Sequence, residues 1–128
     1  MKFRKPLSKK HNSLLNRALE LSKLSTYSKF KHGAIIVKGG HTIAVGVNRL
    51  TNHPDHVEDP KVQSSVHAEI AALNACRKTD LNGASIYVAR IYKSGEPAMS
   101  KPCENCQKAL RERGIKKVYY TIDSSMDL

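Results

Sequence analysis

Residues 85–122 read SIYVARIYKSGEPAMSKPCENCQKALRERGIKKVYYTI, and this stretch decides the fold. Ser85 to Ile91 is rich in β-branched and aromatic residues and follows an Asn82-Gly83 turn, so it reads as a strand. Lys93 to Pro102 carries Ser, Gly and two Pro and reads as a loop. Glu104 to Arg113 is helical and stops at Gly114, the residue type that most readily ends a helix. Lys117 to Ile122 is a second strand. Two strands joined by a helical crossover lie parallel, with a right-handed connection.

Upstream, Val66 to Arg77 places Ile70, Ala71, Leu73 and Asn74 around one side and predicts a helix. Ala34 to Val37 and Thr42 to Val47 are short apolar runs separated by Gly39-Gly40, the signature of an antiparallel hairpin. Between hairpin and helix, Asn48 to Ser64 has two prolines and no periodicity, which makes it a long loop of the kind that often carries function. Ser8 can cap a first helix, in which Leu14, Leu15, Ala18, Leu19, Leu21 and Leu24 recur at three- and four-residue spacing up to about Ser25. The order helix, strand, strand, helix, strand, helix, strand predicts a small mixed α/β sheet flanked by helices, built as one domain over residues 1–128.

Twenty-two Lys and Arg against eleven Asp and Glu leave a net charge of +11, which favours an anionic partner. Two Phe, five Tyr and no Trp supply few rings for an extended base-stacking groove. Three cysteines are too few for a disulfide framework and point to a reducing, cytoplasmic location. No apolar run approaches the length of a membrane-spanning helix, and the basic N-terminus is not followed by the apolar stretch of a signal peptide.

Cys103 and Cys106 sit one turn apart at the start of a helix, where unpaired N–H groups and the helix dipole favour negative sulfur. Two thiolates half fill the tetrahedral shell of zinc, and His67, which also begins a helix after a loop, is the best third ligand. Three protein ligands leave a position for water, the arrangement of a catalytic rather than a structural site. Glu69 follows His67 by two residues, about 200° of helical rotation, so it is placed as a neighbour of the ion rather than a ligand. A carboxylate beside an activated water suits general acid/base work. Cys76, among alanines, reads as a small buried residue, and Tyr92, at the end of a strand, as packed on the core edge.

His67-Ala68-Glu69 together with Pro102-Cys103-Glu104-Asn105-Cys106 resembles the zinc-dependent cytidine and deoxycytidylate deaminase superfamily. The resemblance runs from about Ala34 to Tyr120 and implies a cytidine deaminase-like three-layer sandwich. It further implies that Asn48 bonds the substrate sugar and that the backbone N–H groups of Ala68 and Cys103 contact the base and the transition-state oxygen. The Ser100 carbonyl would receive the departing amine, and loops of a neighbouring subunit would complete the site of a homo-oligomer. The His-Ala-Glu form resembles branches acting on phosphate-bearing substrates, whereas the long Tyr92 to Lys101 loop is more similar to that of cytidine deaminases. The expected substrate is a deoxycytidylate- or cytidine-type nucleotide or nucleoside, deaminated with zinc as cofactor; the alternative is a base, cytosine or adenine, in single-stranded DNA or RNA. A further alternative, a zinc-folded binding module without activity, has no use for Glu69. The family's fifth strand is not legible after Ile122, which predicts a sheet edge left short or covered by a partner.

Overall fold

The computed structural model describes residues 7–25, 31–50, 65–122 and 124–128. Ser8 caps α1 (Lys9–Ser22) by accepting a hydrogen bond from the His11 N–H at 3.4 Å. The hairpin follows as β1 (Lys31–Lys38) and β2 (His41–Val47), turning through Gly39 and Gly40 at φ of 59° and 80°, values that favour glycine. Two short strands, β3 (Arg49–Leu50) and β4 (Ser65–Val66), pair antiparallel and lead into α2 (Ala68–Ala75). The chain then runs through β5 (Ser85–Ile91), β6 (Pro97–Ala98), α3 (Glu104–Glu112), β7 (Lys117–Tyr120) and β8 (Ser124–Asp127). The main sheet has the order β2-β1-β5-β7-β8, with β6 adding to the free end of β5. β5 and β7 are parallel, as the helical crossover between them requires, and every other pairing is antiparallel.

Strand alternation divides the sheet into two buried faces. Ala34, Ile36, Ile86, Val88, Val118 and Tyr120 face one way and pack with Ala72 and Leu73 of α2 and Leu110 of α3. Ile35, Val37, Tyr87, Ala89 and Tyr119 face the other way, against Leu15 and Ala18 of α1. On that side the His11, Tyr119 and Tyr87 rings stack with centroids 4.1 Å and 4.7 Å apart, and His11 Nδ1 lies 2.6 Å from the Tyr87 hydroxyl. The result is the expected three layers: α1, sheet, then α2 with α3.

Several elements depart from the sequence reading, among them β3, which falls within the expected Asn48 to Ser64 loop. The sheet has a further strand, β8, antiparallel to β7, where an open edge was expected. Met126 and Leu128 alternate along it and pack against the core, so a chain tail of only seven residues after Thr121 covers the β7 edge itself. Helix α2 begins at Ala68 rather than Val66, because Ser65 and Val66 are held extended by β3. Pro97 and Ala98, expected in a loop, pair with β5 beyond the point where β7 ends. The loop histidines His53 and His56 lie outside the described residues. Among the described residues no helix is long and apolar enough to cross a membrane.

Gly46 and Gly33 set the spacing of the layers. A Cβ at Gly46 would lie 2.5 Å from both the Ala68 carbonyl oxygen and the Ala72 nitrogen, and one at Gly33 would lie 2.4 Å from the Ala18 carbonyl oxygen. Backbone atoms cannot swing aside as a side chain can, so Gly46→Ala must push α2 off the sheet. The expected outcome is a loss of about 2–4 kcal/mol in unfolding free energy by chemical denaturation, with a weakened α2 terminus.

Candidate active site

His67 and Cys103 are the N-cap residues of α2 and α3, with φ, ψ of −67°, 147° and −67°, 165°. Neither side chain caps its own helix, although an N-cap side chain ordinarily does so. Both are turned instead toward a common point. Cys106, one turn into α3, completes the group: the ligand atoms of His67, Cys103 and Cys106 all lie within 4.8 Å of one another. His67 Nδ1 and Cys106 Sγ are 3.2 Å apart. One imidazole nitrogen and two sulfurs at these separations fit a single tetrahedral zinc ion and leave its fourth position open. Two helix N-termini supply positive ends beside the sulfurs.

Glu69 occupies the first turn of α2 and is 5% exposed. Burial raises its carboxyl above the usual range, against the opposing effect of a hydrogen bond with the Cys106 thiol. Burial also drives the Cys106 thiol well up, and the Glu69 carboxylate beside it acts in the same direction. The thiol thus helps the carboxylate while the carboxylate holds the thiol protonated, and a cation in the cluster would relieve the burial of both.

Asn48, at the end of β2, is carried next to His67 by the β3–β4 pairing, in which Arg49 opposes Val66. Its Oδ1 accepts hydrogen bonds from the His32 N–H at 2.8 Å and the Ser25 hydroxyl at 2.5 Å. Ser100 is held by Thr121. The Thr121 N–H donates to Ser100 Oγ at 2.8 Å, the Ser100 N–H donates to the Thr121 carbonyl at 2.9 Å, and the Ser100 hydroxyl donates to the Val88 carbonyl at 2.8 Å. Thr121 Oγ1 also lies 2.5 Å from the Ala98 carbonyl and accepts from the Arg90 N–H at 3.2 Å. The segment leading to Cys103 is therefore stitched to the ends of β5 and β7. Ala68, also singled out from the sequence, is fully buried as the first residue of α2, so its N–H is among those a helix leaves without an intrahelical partner.

Several residues around this cluster were not found from the sequence. His32 stands opposite Arg90 across β1 and β5, on the face that carries α2. Burial, then the Arg90 and His67 charges, lowers its imidazole to about 4, so it is neutral near pH 7. Ser25 and Thr121 gave no signal either, because their roles exist only through partners 23 and 21 residues away. Tyr92 is corrected: it is 53% exposed and lies under the Arg90 guanidinium, 6.0 Å from ring centroid to Cζ, rather than packed on the core. Cys76 is buried as expected and donates its thiol to the Ala72 carbonyl at 3.3 Å.

Residues 8–122 match the family described as the cytidine and deoxycytidylate deaminase zinc-binding region. The ComE operon protein 2 of Bacillus subtilis (strain 168) is 32% identical over 108 residues, 77% of this chain and 52% of that protein. The chain thus spans about half the length of that relative. The deoxycytidylate deaminase of Mycobacterium phage D29 is 28% identical over 128 residues, 86% of this chain and 92% of the relative. Among solved structures, the dCMP deaminase of cyanophage S-TIM5 in complex with dCMP and dUMP superposes with a TM-score of 0.68 at 28% identity, over 92% of this chain and 83% of that one.

The Thr121 network yields a direct check. Thr121→Val keeps the shape of the side chain and removes the hydroxyl that serves Ala98, Ser100 and Arg90. It is expected to cost about 1–3 kcal/mol of stability by denaturation and to speed amide exchange over residues 97–103 before the rest of the sheet.

Proposed function

The chain belongs to the cytidine and deoxycytidylate deaminase family, and on that premise we propose that it deaminates the cytosine of a deoxycytidylate-type nucleotide or nucleoside by zinc-dependent hydrolysis. One observation carries the reading: three zinc-type ligands converge on a point beside a buried carboxyl group, with one coordination position to spare. His67, Cys103 and Cys106 would hold the zinc, which when bound would supply the Lewis acidity that makes a water in the remaining position a nucleophile.

The remaining work falls to the chain's own groups. Glu69 takes a proton from the attacking water and delivers it to N3 of the ring as the water oxygen bonds to C4. It then moves the second water proton to the exocyclic nitrogen; the C4–N4 bond breaks, ammonia leaves and the ring remains as uracil. Burial raises the Glu69 carboxyl above its ordinary range, which favours its holding the proton between the two transfers. The N–H groups of Ala68 and Cys103, at the starts of two helices, would meet the base and the oxygen bearing developing charge. Ser100, fixed through Thr121, would offer its carbonyl to the departing amine, and Asn48 would bind the sugar.

Support for a monophosphate substrate comes from the relatives, one named a deoxycytidylate deaminase and one solved with dCMP and dUMP. We assign the activity to a single domain that works in the cytoplasm as a homo-oligomer. A base within single-stranded nucleic acid is the second reading, favoured by the net charge of +11 alone.

Glu69→Gln is expected to keep its zinc, measured by atomic emission, while turnover falls about 10²- to 10⁴-fold. Substantial residual turnover would remove Glu69 from the proton path. Cys103→Ala is expected to lose zinc and thermal stability together, since ligand assembly and folding are coupled.

The substrate is decided by ammonia release from cytidine, deoxycytidine, deoxycytidylate, adenosine and a cytosine-containing oligonucleotide at low and moderate salt. Turnover of deoxycytidylate with a shallow salt dependence is the expected result. Turnover of the oligonucleotide alone, falling steeply with salt, would establish the nucleic-acid reading in its place.

A further inference from the structure

Two donors meet at the carboxamide oxygen of Asn48, the His32 N–H at 2.8 Å and the Ser25 hydroxyl at 2.5 Å. Ser25 Oγ also lies 2.7 Å from the Asn48 main-chain oxygen, so its proton holds the same residue when directed at either oxygen. The Asn48 N–H in turn donates to the His32 carbonyl at 3.3 Å. Exchanging the amide oxygen and nitrogen would set Nδ2 against the His32 N–H, donor against donor, so this contact fixes which atom is which. Ser25 and Asn48 are 6% and 5% exposed, so solvent does not compete well for these bonds. The oxygen is therefore committed to the end of α1 and the start of β1, and the residue presents its amide nitrogen, a donor, away from them.

We propose that Ser25 is a positioning residue for substrate recognition, its hydroxyl holding the Asn48 carboxamide so that Nδ2 donates to the sugar hydroxyl of the substrate. The proposal rests on the reading that Asn48 meets the sugar, and it adds what sets the polarity of that contact. Ser25 does not touch the substrate. It acts from the turn that follows α1, where its N–H donates to the Ser22 carbonyl at 3.0 Å. A site whose asparagine is fixed as a donor selects a ligand with an acceptor oxygen at that point, and loses that selectivity if the carboxamide can rotate.

The test uses the full, zinc-loaded chain and calorimetric affinities for deoxyuridylate and for 2′,3′-dideoxyuridylate, which lacks the sugar hydroxyl. The wild type is expected to bind deoxyuridylate more tightly. Ser25→Ala is expected to weaken deoxyuridylate about three- to tenfold while the dideoxy ligand changes less than about twofold, and Ser25→Thr to restore the difference. Should Ser25→Ala fail to fold, Ser25→Cys keeps the volume with a much weaker donor and is expected to shift the same ratio in the same direction. Equal weakening of both ligands would make Ser25 a staple of α1 and nothing more, and no weakening of either would remove its role; each overturns the proposal while leaving the deaminase reading in place. A wild type that binds neither ligand would overturn the substrate reading and this proposal with it.

Discussion

The site depends on one constraint: α2 and α3 must begin at the same place, each with a first residue whose side chain is withheld from capping. His67 and Cys103 are both extended N-caps with no side-chain cap bond. At each helix start the usual capping oxygen is exchanged for a metal ligand, at a cost of about 1 kcal/mol apiece. The gain is that two helix N-termini face a cluster containing two sulfurs and a carboxyl group, where their positive ends are most useful. A single helix could not present three ligands and an open position with this geometry, because residues one turn apart share only one face.

The sheet makes the coincidence possible. β5 and β7 are adjacent and parallel, so α3, which crosses between them, must lie on one face, and right-handedness fixes which. α2 is brought to the same face by β2, where Gly46 lets the helix backbone come within contact of the strand. The β3–β4 pair then draws the residue after Asn48 against the residue before His67, closing the two sides of the cleft. α1 occupies the opposite face, and Ser25, just past its end, reaches Asn48 by a side-chain hydrogen bond. The conformation of each ligand is thus over-determined by backbone contacts that no ligand makes itself.

Much of this was legible because it is local or periodic. The strand, helix, strand order of residues 85–122 predicts the parallel pair, and the ligand set follows from residue types at fixed offsets from helix starts. Strand β8 was missed because its alternation, Ser124, Met126 and Leu128, is too short and too polar to stand out. Strand position alone does not place Tyr92, because the Arg90 guanidinium that lies over its ring comes beside it only once β5 is formed. Ser25, His32 and Thr121 are invisible for a deeper reason: each matters through one hydrogen bond to a residue distant in sequence, and a lone Ser or Thr carries no spacing to betray that.

The electrostatics of the cluster explain why these parts belong together. Burial penalises the charge on both the Glu69 carboxyl and the Cys106 thiol, and the carboxylate that accepts the thiol's hydrogen bond keeps that thiol from ionising. Helix dipoles offset only part of this, since each is worth about half a unit charge at its terminus. A divalent cation held by Cys103, Cys106 and His67 would reverse the balance, favouring ionised sulfurs and setting the carboxyl beside a positive centre. The burial that raises the Glu69 carboxyl is the same burial that sets it against the metal-type ligands, where the proposed proton transfers would take place. Against that electrostatic cost stand the close backbone approach at Gly46, which seats α2 on the sheet, and the Thr121 hydrogen bonds, which tie the segment before Cys103 to the ends of β5 and β7.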